Sequence, residues 1–182
     1  MGTVVNKDIK SILFSAEEID NRIVELAAEL TEEYTGKTLL LIGVLKGCFV
    51  FIADLARQID LDCEIRFLTA SSYGFSSVSS GKVSIDKDID FDLEGKDVLI
   101  VEDILDSGMT LTALRAILVR HKPASLKTCT LLDKPERRQV PITADYTGFT
   151  CPNEFVVGYG LDYGERYRNL PYVAVLKPEV YS

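Results

Sequence analysis

The sequence predicts an α/β fold, a central parallel sheet flanked by helices, on two observations. The apolar runs TLLLIGVL from Thr38 and VLIV from Val98 are continuous, not alternating, as expected of strands covered on both faces. Each is followed by a helical segment and a further strand-like run, giving two βαβ patterns, and βαβ units imply parallel strands. A chain of 182 residues, 47% hydrophobic and 26% charged, is long enough to bury one continuous core.

The first helix starts at Ser15, where SAEE supplies a capping box with Glu18 and Ile19, Ile23, Leu26, Ala27 and Leu30 line one face. The first core strand is the run from Thr38, followed by a helix near Phe49 to Gln58 and a strand over about Cys63 to Ala70. The segment SSYGFSSVSSGK, Ser71 to Lys82, is rich in Ser and Gly and reads as a mobile connector. The second unit takes Val98 to Ile104 as strand, Thr110 to Arg120 as helix and Leu126 to Leu132 as strand. EFVVGYGL from Glu154 and YVAVLKP from Tyr172 read as two later strands. Ligands of parallel sheets bind beyond the carboxyl ends of the strands, so the loops after Val44, Ile104, Leu132 and Leu161 form the candidate site.

Composition excludes several classes. The formal charge of −8 opposes a protein that binds nucleic acid by neutralising phosphates. No apolar run is long enough to span a membrane. The first residues, MGTVVNKDIKSILF, lack a signal-peptide h-region, so a cytoplasmic location is expected. The cysteines Cys48, Cys63, Cys129 and Cys151 form no C-x-x-C pair and read as reduced core thiols. His121, the single histidine, falls at an expected helix C-terminus, where its partial charge is favourable. Gly36-Lys37-Thr38 is no P-loop, since Thr31 stands where the first glycine belongs and a strand follows. Gly158-Tyr159-Gly160 is no dinucleotide fingerprint, since Tyr163 replaces its third glycine, and both triplets read as turns or close backbone approaches.

One segment carries chemistry. In VLIVEDILDSGMTL an apolar strand runs into Glu102, Asp103 and Asp106, then Ser107-Gly108 and a helix. A strand, Ser-Gly and helix in succession can hold a phosphate on backbone N–H groups, yet three carboxylates would repel an anion at the same point. The segment resembles the phosphoribosyl pyrophosphate signature of the type I phosphoribosyltransferases. VLKGCFVF, SSYG, LLDKPERR and EFVVGYGLDYGERYRNLP narrow the resemblance to the hypoxanthine-guanine phosphoribosyltransferases, bacterial-like, and together spread over most of the chain in the right order.

The resemblance implies the type I phosphoribosyltransferase fold as one domain over residues 1–182, with a small purine-binding hood from the terminal segments, including about 154–182. It implies transfer of the 5-phosphoribosyl group from phosphoribosyl pyrophosphate to N9 of hypoxanthine or guanine, giving IMP or GMP and pyrophosphate. Alternatives are a xanthine-preferring enzyme and a phosphoribosyl-pyrophosphate-sensing regulator that binds RNA or DNA; the hood residues and the negative charge favour the enzyme. Asp106, Ser107, Gly108, Met109 and Thr110 would hold the 5-phosphate, and Glu102 and Asp103 the ribose hydroxyls and Mg²⁺. Asp162 would be a further metal contact, chiefly through water. Asp106 would be the catalytic general base toward N7, while Lys46, Gly47 and Arg168 would bind pyrophosphate, with a Leu45-Lys46 peptide that can be cis in the family. Lys134 would donate to the purine 6-oxo group, Phe155 would stack on the ring, and the Val156 backbone would bond the base edge. Ser72 and Tyr73 match a mobile loop that closes over the reacting centre. No nucleic acid or membrane partner is expected, and a homodimer or homotetramer is.

Overall fold

The computed structural model describes residues 7–72, 83–85, 89 and 91–181. In chain order its elements are β1 (Ile9–Phe14), α1 (Ala16–Tyr34), β2 (Leu39–Leu45), α2 (Phe49–Gln58), β3 (Cys63–Ser72), β4 (Val83–Ile85), β5 (Asp97–Leu105), α3 (Met109–Leu118), β6 (Ser125–Asp133), β7 (Tyr146–Thr150), β8 (Val156–Val157), β9 (Val173–Leu176) and α4 (Pro178–Tyr181).

Strand β2 explains its own sequence. Leu39 and Leu41 pack into the cluster built with α1 and α2, while Leu40, Ile42 and Val44 pack into the cluster built with α3 on the opposite face. A strand buried on both faces needs apolar residues at successive positions, which is why TLLLIGVL does not alternate. Strand β5 repeats the arrangement, with Leu99 and Val101 on one side and Val98 and Ile100 on the other. Helix α1 opens with the expected box: Ser15 Oγ accepts the Glu18 N–H at 3.2 Å, and Glu18 Oε2 accepts the Ser15 N–H at 2.8 Å.

The main sheet runs β4-β3-β2-β5-β6-β7, its five central and outer strands β3, β2, β5, β6 and β7 parallel and β4 antiparallel at one edge. From β2 the chain crosses by α2 to β3 on one side; from β5 it crosses by α3 to β6 on the other. The crevice between the carboxyl ends of β2 and β5 is therefore a topological switch point, where open parallel sheets bind ligands. Above it stands a second, three-stranded antiparallel sheet, β1-β9-β8, with its own cluster of Ile9, Val157, Tyr167, Tyr172, Ala174 and Leu176.

Several elements depart from the sequence reading. Strands β1 and β7 were not anticipated. The strand expected over EFVVGYGL shrinks to Val156–Val157, because Gly158, Tyr159 and Gly160 take φ values of 97°, 49° and 98° and cannot continue an extended chain. Helix α3 starts at Met109 and ends at Leu118, and His121 closes a following 3₁₀ turn. All four cysteines are free thiols, with Cys48, Cys129 and Cys151 buried. No helix among the described residues is long and apolar enough to cross a membrane.

Candidate active site

Strand β5 carries its acids into the crevice while still paired to β6. Glu102 lies opposite Thr130 in the ladder and is buried. That burial pushes its carboxyl well above the usual carboxylate range, and the neighbouring Asp103 adds to the effect. Burial likewise pushes Asp103 up to about 6, against the opposing pull of the Ile104 N–H, 2.9 Å from Oδ1, and of Arg168. Two adjacent carboxyls therefore sit where ionisation is costly, as expected of groups awaiting a ligand that brings donors or positive charge.

The loop after β2 passes directly over Asp103. A Cβ on Gly47 would stand 1.6 Å from Asp103 Oδ2, so any larger residue here must push aside the Asp103 carboxyl or the loop itself. A Cβ on Gly160 would in turn stand 2.1 Å from the Gly47 carbonyl oxygen. Three chain segments far apart in sequence thus meet at one point, the Gly160 backbone against the Gly47 carbonyl and the Gly47 backbone against the Asp103 carboxyl. The Leu45-Lys46 peptide leading into this loop is cis.

Arg168 ties the rim together. Its Nη1 donates to the Gly160 carbonyl at 2.8 Å, and its Nη2 lies 2.9 Å from Asp162 Oδ1 and 3.4 Å from Glu165 Oε2. Asp162 Oδ2 accepts the Glu165 N–H at 2.9 Å. Lys46 Nζ reaches Glu165 Oε1 at 3.1 Å, and that bond chiefly holds the Glu165 carboxyl below its ordinary range. The Nε of Arg168 is buried and has no hydrogen-bond partner among the described residues. The structure brings Lys46, Asp162 and Arg168 together around Glu165, a residue the sequence reading does not mark.

The turn after β5 is a ready anion cradle. Gly108 takes φ 82°, a left-handed conformation that suits glycine, and hands the chain to α3 with no side-chain cap. The first N–H groups of a helix have no partner within it; here the Met109 N–H makes a long contact of 3.4 Å to Ser107 Oγ, and Thr110 and its neighbours begin the helix with donors to spare. Behind this turn Arg138 acts as a clamp: Nη1 donates to the Leu105 carbonyl at 2.9 Å and to the Asp106 carbonyl, and Nη2 pairs with Asp133 Oδ1. The Gln139 N–H also donates to the Ser107 carbonyl at 2.9 Å. In DKPERR the sequence reading marks Lys134 and not Arg137 or Arg138. Of these, Arg137 places Nε 2.9 Å from Asp106 Oδ1, yet that buried oxygen accepts no well-directed hydrogen bond among the described residues.

On the other side of Asp106, Lys134 is buried, and that burial lowers its pKa. Its Nζ donates to the Glu154 carbonyl at 2.6 Å. Phe155 follows, 36% exposed, beside Tyr163 and Tyr181. The Leu176 N–H donates to the Phe155 carbonyl, so Val156 and Val175 form a pair without mutual hydrogen bonds. Because β8 is the edge of its sheet, the Val156 amide groups turn toward that open edge. Ser72 ends strand β3, and Tyr73 lies outside the described residues.

No group of three or more His, Cys, Asp or Glu side chains among the described residues converges tightly enough to hold a metal by itself. The acids present, Glu102, Asp103 and Asp162, offer only oxygen. Such a set suits a magnesium ion that keeps several waters and draws its other oxygens from a phosphate-bearing ligand.

Residues 13–164 match the family described as phosphoribosyl transferase domain. A hypoxanthine-guanine phosphoribosyltransferase of Bacillus subtilis is 54% identical over 179 residues, covering 98% of this chain and 99% of that protein. The bifunctional protein TilS/HprT of Listeria innocua is also 54% identical, over 98% of this chain, but the chain spans only 28% of that protein's length. The crystal structure of a hypoxanthine phosphoribosyltransferase from Staphylococcus aureus superposes with a TM-score of 0.93 at 50% identity, covering 100% of this chain and 99% of the other.

Proposed function

The chain belongs to the phosphoribosyl transferase domain family, and from that membership we propose that it moves the 5-phosphoribosyl group of phosphoribosyl pyrophosphate onto N9 of hypoxanthine or guanine. The products are IMP or GMP and pyrophosphate, a purine-salvage reaction. One observation carries this reading beyond family likeness: the buried Glu102, the half-buried Asp103 and the N-terminus of α3 flank a single turn at the switch point. Acids and anion cradle are separated along β5 and α3, so one ligand with hydroxyls at one end and a phosphate at the other satisfies both.

In this reading the N–H groups from Ser107 to Thr110 hold the 5-phosphate, and Glu102 and Asp103 accept the ribose hydroxyls. The buried Nε of Arg168 and the backbone of Lys46 and Gly47 receive the pyrophosphate. Magnesium, held by Glu102, Asp103 and Asp162 largely through water, would neutralise charge on the departing pyrophosphate. Lys134 has three donors on its ammonium, so it can keep the Glu154 carbonyl and still donate to a 6-oxo group, disfavouring a 6-amino base. Phe155 stacks on the purine, and the Val156 amide edge bonds its rim. Asp106, with an oxygen buried and not yet hydrogen-bonded, takes the N7 proton as N9 attacks the sugar.

The test is direct: supply phosphoribosyl pyrophosphate and Mg²⁺ with hypoxanthine, guanine, xanthine, adenine or orotate in turn, and identify the nucleotide formed. IMP and GMP are expected. A chain that makes neither, or that makes only XMP, AMP or OMP, overturns the reading.

A further inference from the structure

Phe155 already has one face covered. Tyr181, in α4, stacks on it with ring centroids 4.7 Å apart and planes 22° from parallel. Tyr163 meets the same ring edge-on at 5.6 Å and 89°, and its centroid lies 6.5 Å from that of Tyr181. A stacked pair this close is already at contact, with no room for a third ring between. Had Tyr163 lain on the face opposite Tyr181, the two tyrosines would stand nearly the sum of the other two distances apart. They are much closer, so Tyr163 lies beside the stack, and neither tyrosine covers the far face of Phe155. That free face accords with the 36% of its surface that Phe155 leaves exposed.

Tyr181 is anchored from behind. Helix α4 continues β9 through Lys177, whose N–H donates to the Asp8 carbonyl at 2.9 Å and whose Nζ donates to the Lys7 carbonyl at 2.6 Å. Val180 and Tyr181 both pack against the cluster of Ile9, Val157, Tyr167, Tyr172 and Leu176. A ring fastened to the small sheet in this way is suited to brace its neighbour, and a ring waiting to be displaced by a ligand would need weaker moorings.

We propose that Tyr181 is a positioning residue for the purine: it fixes the plane of Phe155 so that the free face receives the base while the Val156 amide edge meets its rim. The proposal rests on the reading of Phe155 as the purine wall. The aromatic ring of Tyr181, and not its hydroxyl, does the positioning.

Steady-state kinetics of the full chain with Tyr181→Ala, Tyr181→Leu and Tyr181→Phe test it, with each substrate varied at saturation of the other and the thermal midpoint measured alongside. An aromatic pair of this geometry corresponds to roughly a three- to tenfold effect, so Tyr181→Ala and Tyr181→Leu should raise the hypoxanthine KM by about that factor. The KM for phosphoribosyl pyrophosphate should stay near that of the unmutated chain, and Tyr181→Phe should restore the purine KM. Tyr181→Leu keeps apolar bulk against the small sheet, so it separates the missing ring from loosened packing. A purine KM that falls in Tyr181→Ala means the ring occupies the base's own place and overturns the proposal. An unchanged purine KM, an equal rise in both KM values, or a Tyr181→Phe variant as impaired as Tyr181→Ala overturns it as well. If the unmutated chain makes no nucleotide from any base, the functional reading fails and takes this proposal with it; if it is active, the variants judge the proposal alone.

Discussion

Asp103→Asn should make the metal-free protein more stable while crippling its use of phosphoribosyl pyrophosphate. Burial raises the Asp103 carboxyl from 3.8 to about 6, so between those values the native chain binds a proton that the unfolded chain has already released. Stability therefore falls as pH rises through this window, and the loss is complete above about pH 7. At about 1.4 kcal/mol per pH unit the shift corresponds to about 3 kcal/mol. This is a ceiling, because Asp103 is half-buried and solvent reaches part of it. Asparagine keeps an oxygen for the Ile104 N–H and removes the charge that helps to raise Glu102; Arg168 loses one attraction but keeps its pairs with Asp162 and Glu165.

Urea unfolding of both proteins in EDTA, from pH 4 to pH 8, measures the effect. The two curves should nearly coincide at pH 4 and separate in favour of Asp103→Asn by about 1 to 3 kcal/mol at pH 8. Mg²⁺ with phosphoribosyl pyrophosphate should then stabilise the unmutated protein more than the variant. A stability gap independent of pH, or a variant less stable at pH 8, would refute the view that these acids are held ready at a cost in stability.

Three further outcomes follow from the same geometry. Gly47→Ala forces a methyl into Asp103 Oδ2, and the resulting shift of the loop should lower kcat/KM for phosphoribosyl pyrophosphate by about a hundredfold. Arg138→Met leaves the Asp106 carbonyl and the Asp133 carboxylate without this donor, while the Leu105 carbonyl keeps the Lys134 N–H; chemical denaturation should show a loss of about 3 kcal/mol. Asp106→Asn should reduce turnover by about a hundredfold or more, with little change in phosphoribosyl pyrophosphate affinity measured by calorimetry; equal losses in both would assign it to binding alone.

What the sequence made legible was whatever is local. The both-face burial of β2 and β5 requires unbroken apolar runs, and those runs are plain in the letters. The turn from Asp106 to Thr110 carries strand, acids, glycine and helix within one window, so its layout could be read before any coordinates. Strand β1 could not be read this way, because only Ile9 of its six residues is buried and no alternation marks it. Strand β8 is two residues long and exists because β9 pairs with it. The same holds at the site. Glu165 acquires meaning from Lys46, 119 residues away, and Arg138 from the carbonyls of Leu105 and Asp106, 33 and 32 residues away. A glutamate in a polar loop and the second of two arginines look like surface charges until the fold assembles their partners. Tyr181 is a similar case, since its stack on Phe155 depends on how α4 leaves β9.

The central claim is that one ligand is laid across the segment from Glu102 to Thr110, hydroxyls on the acids and phosphate on the backbone. A crystal structure with Mg²⁺ and phosphoribosyl pyrophosphate measures this most directly. The account expects the 5-phosphate within hydrogen-bonding distance of N–H groups between Ser107 and Thr110, and the ribose hydroxyls on Glu102 and Asp103, directly or through the metal's waters. A 5-phosphate bound elsewhere, or a ribose turned away from both acids, would contradict it.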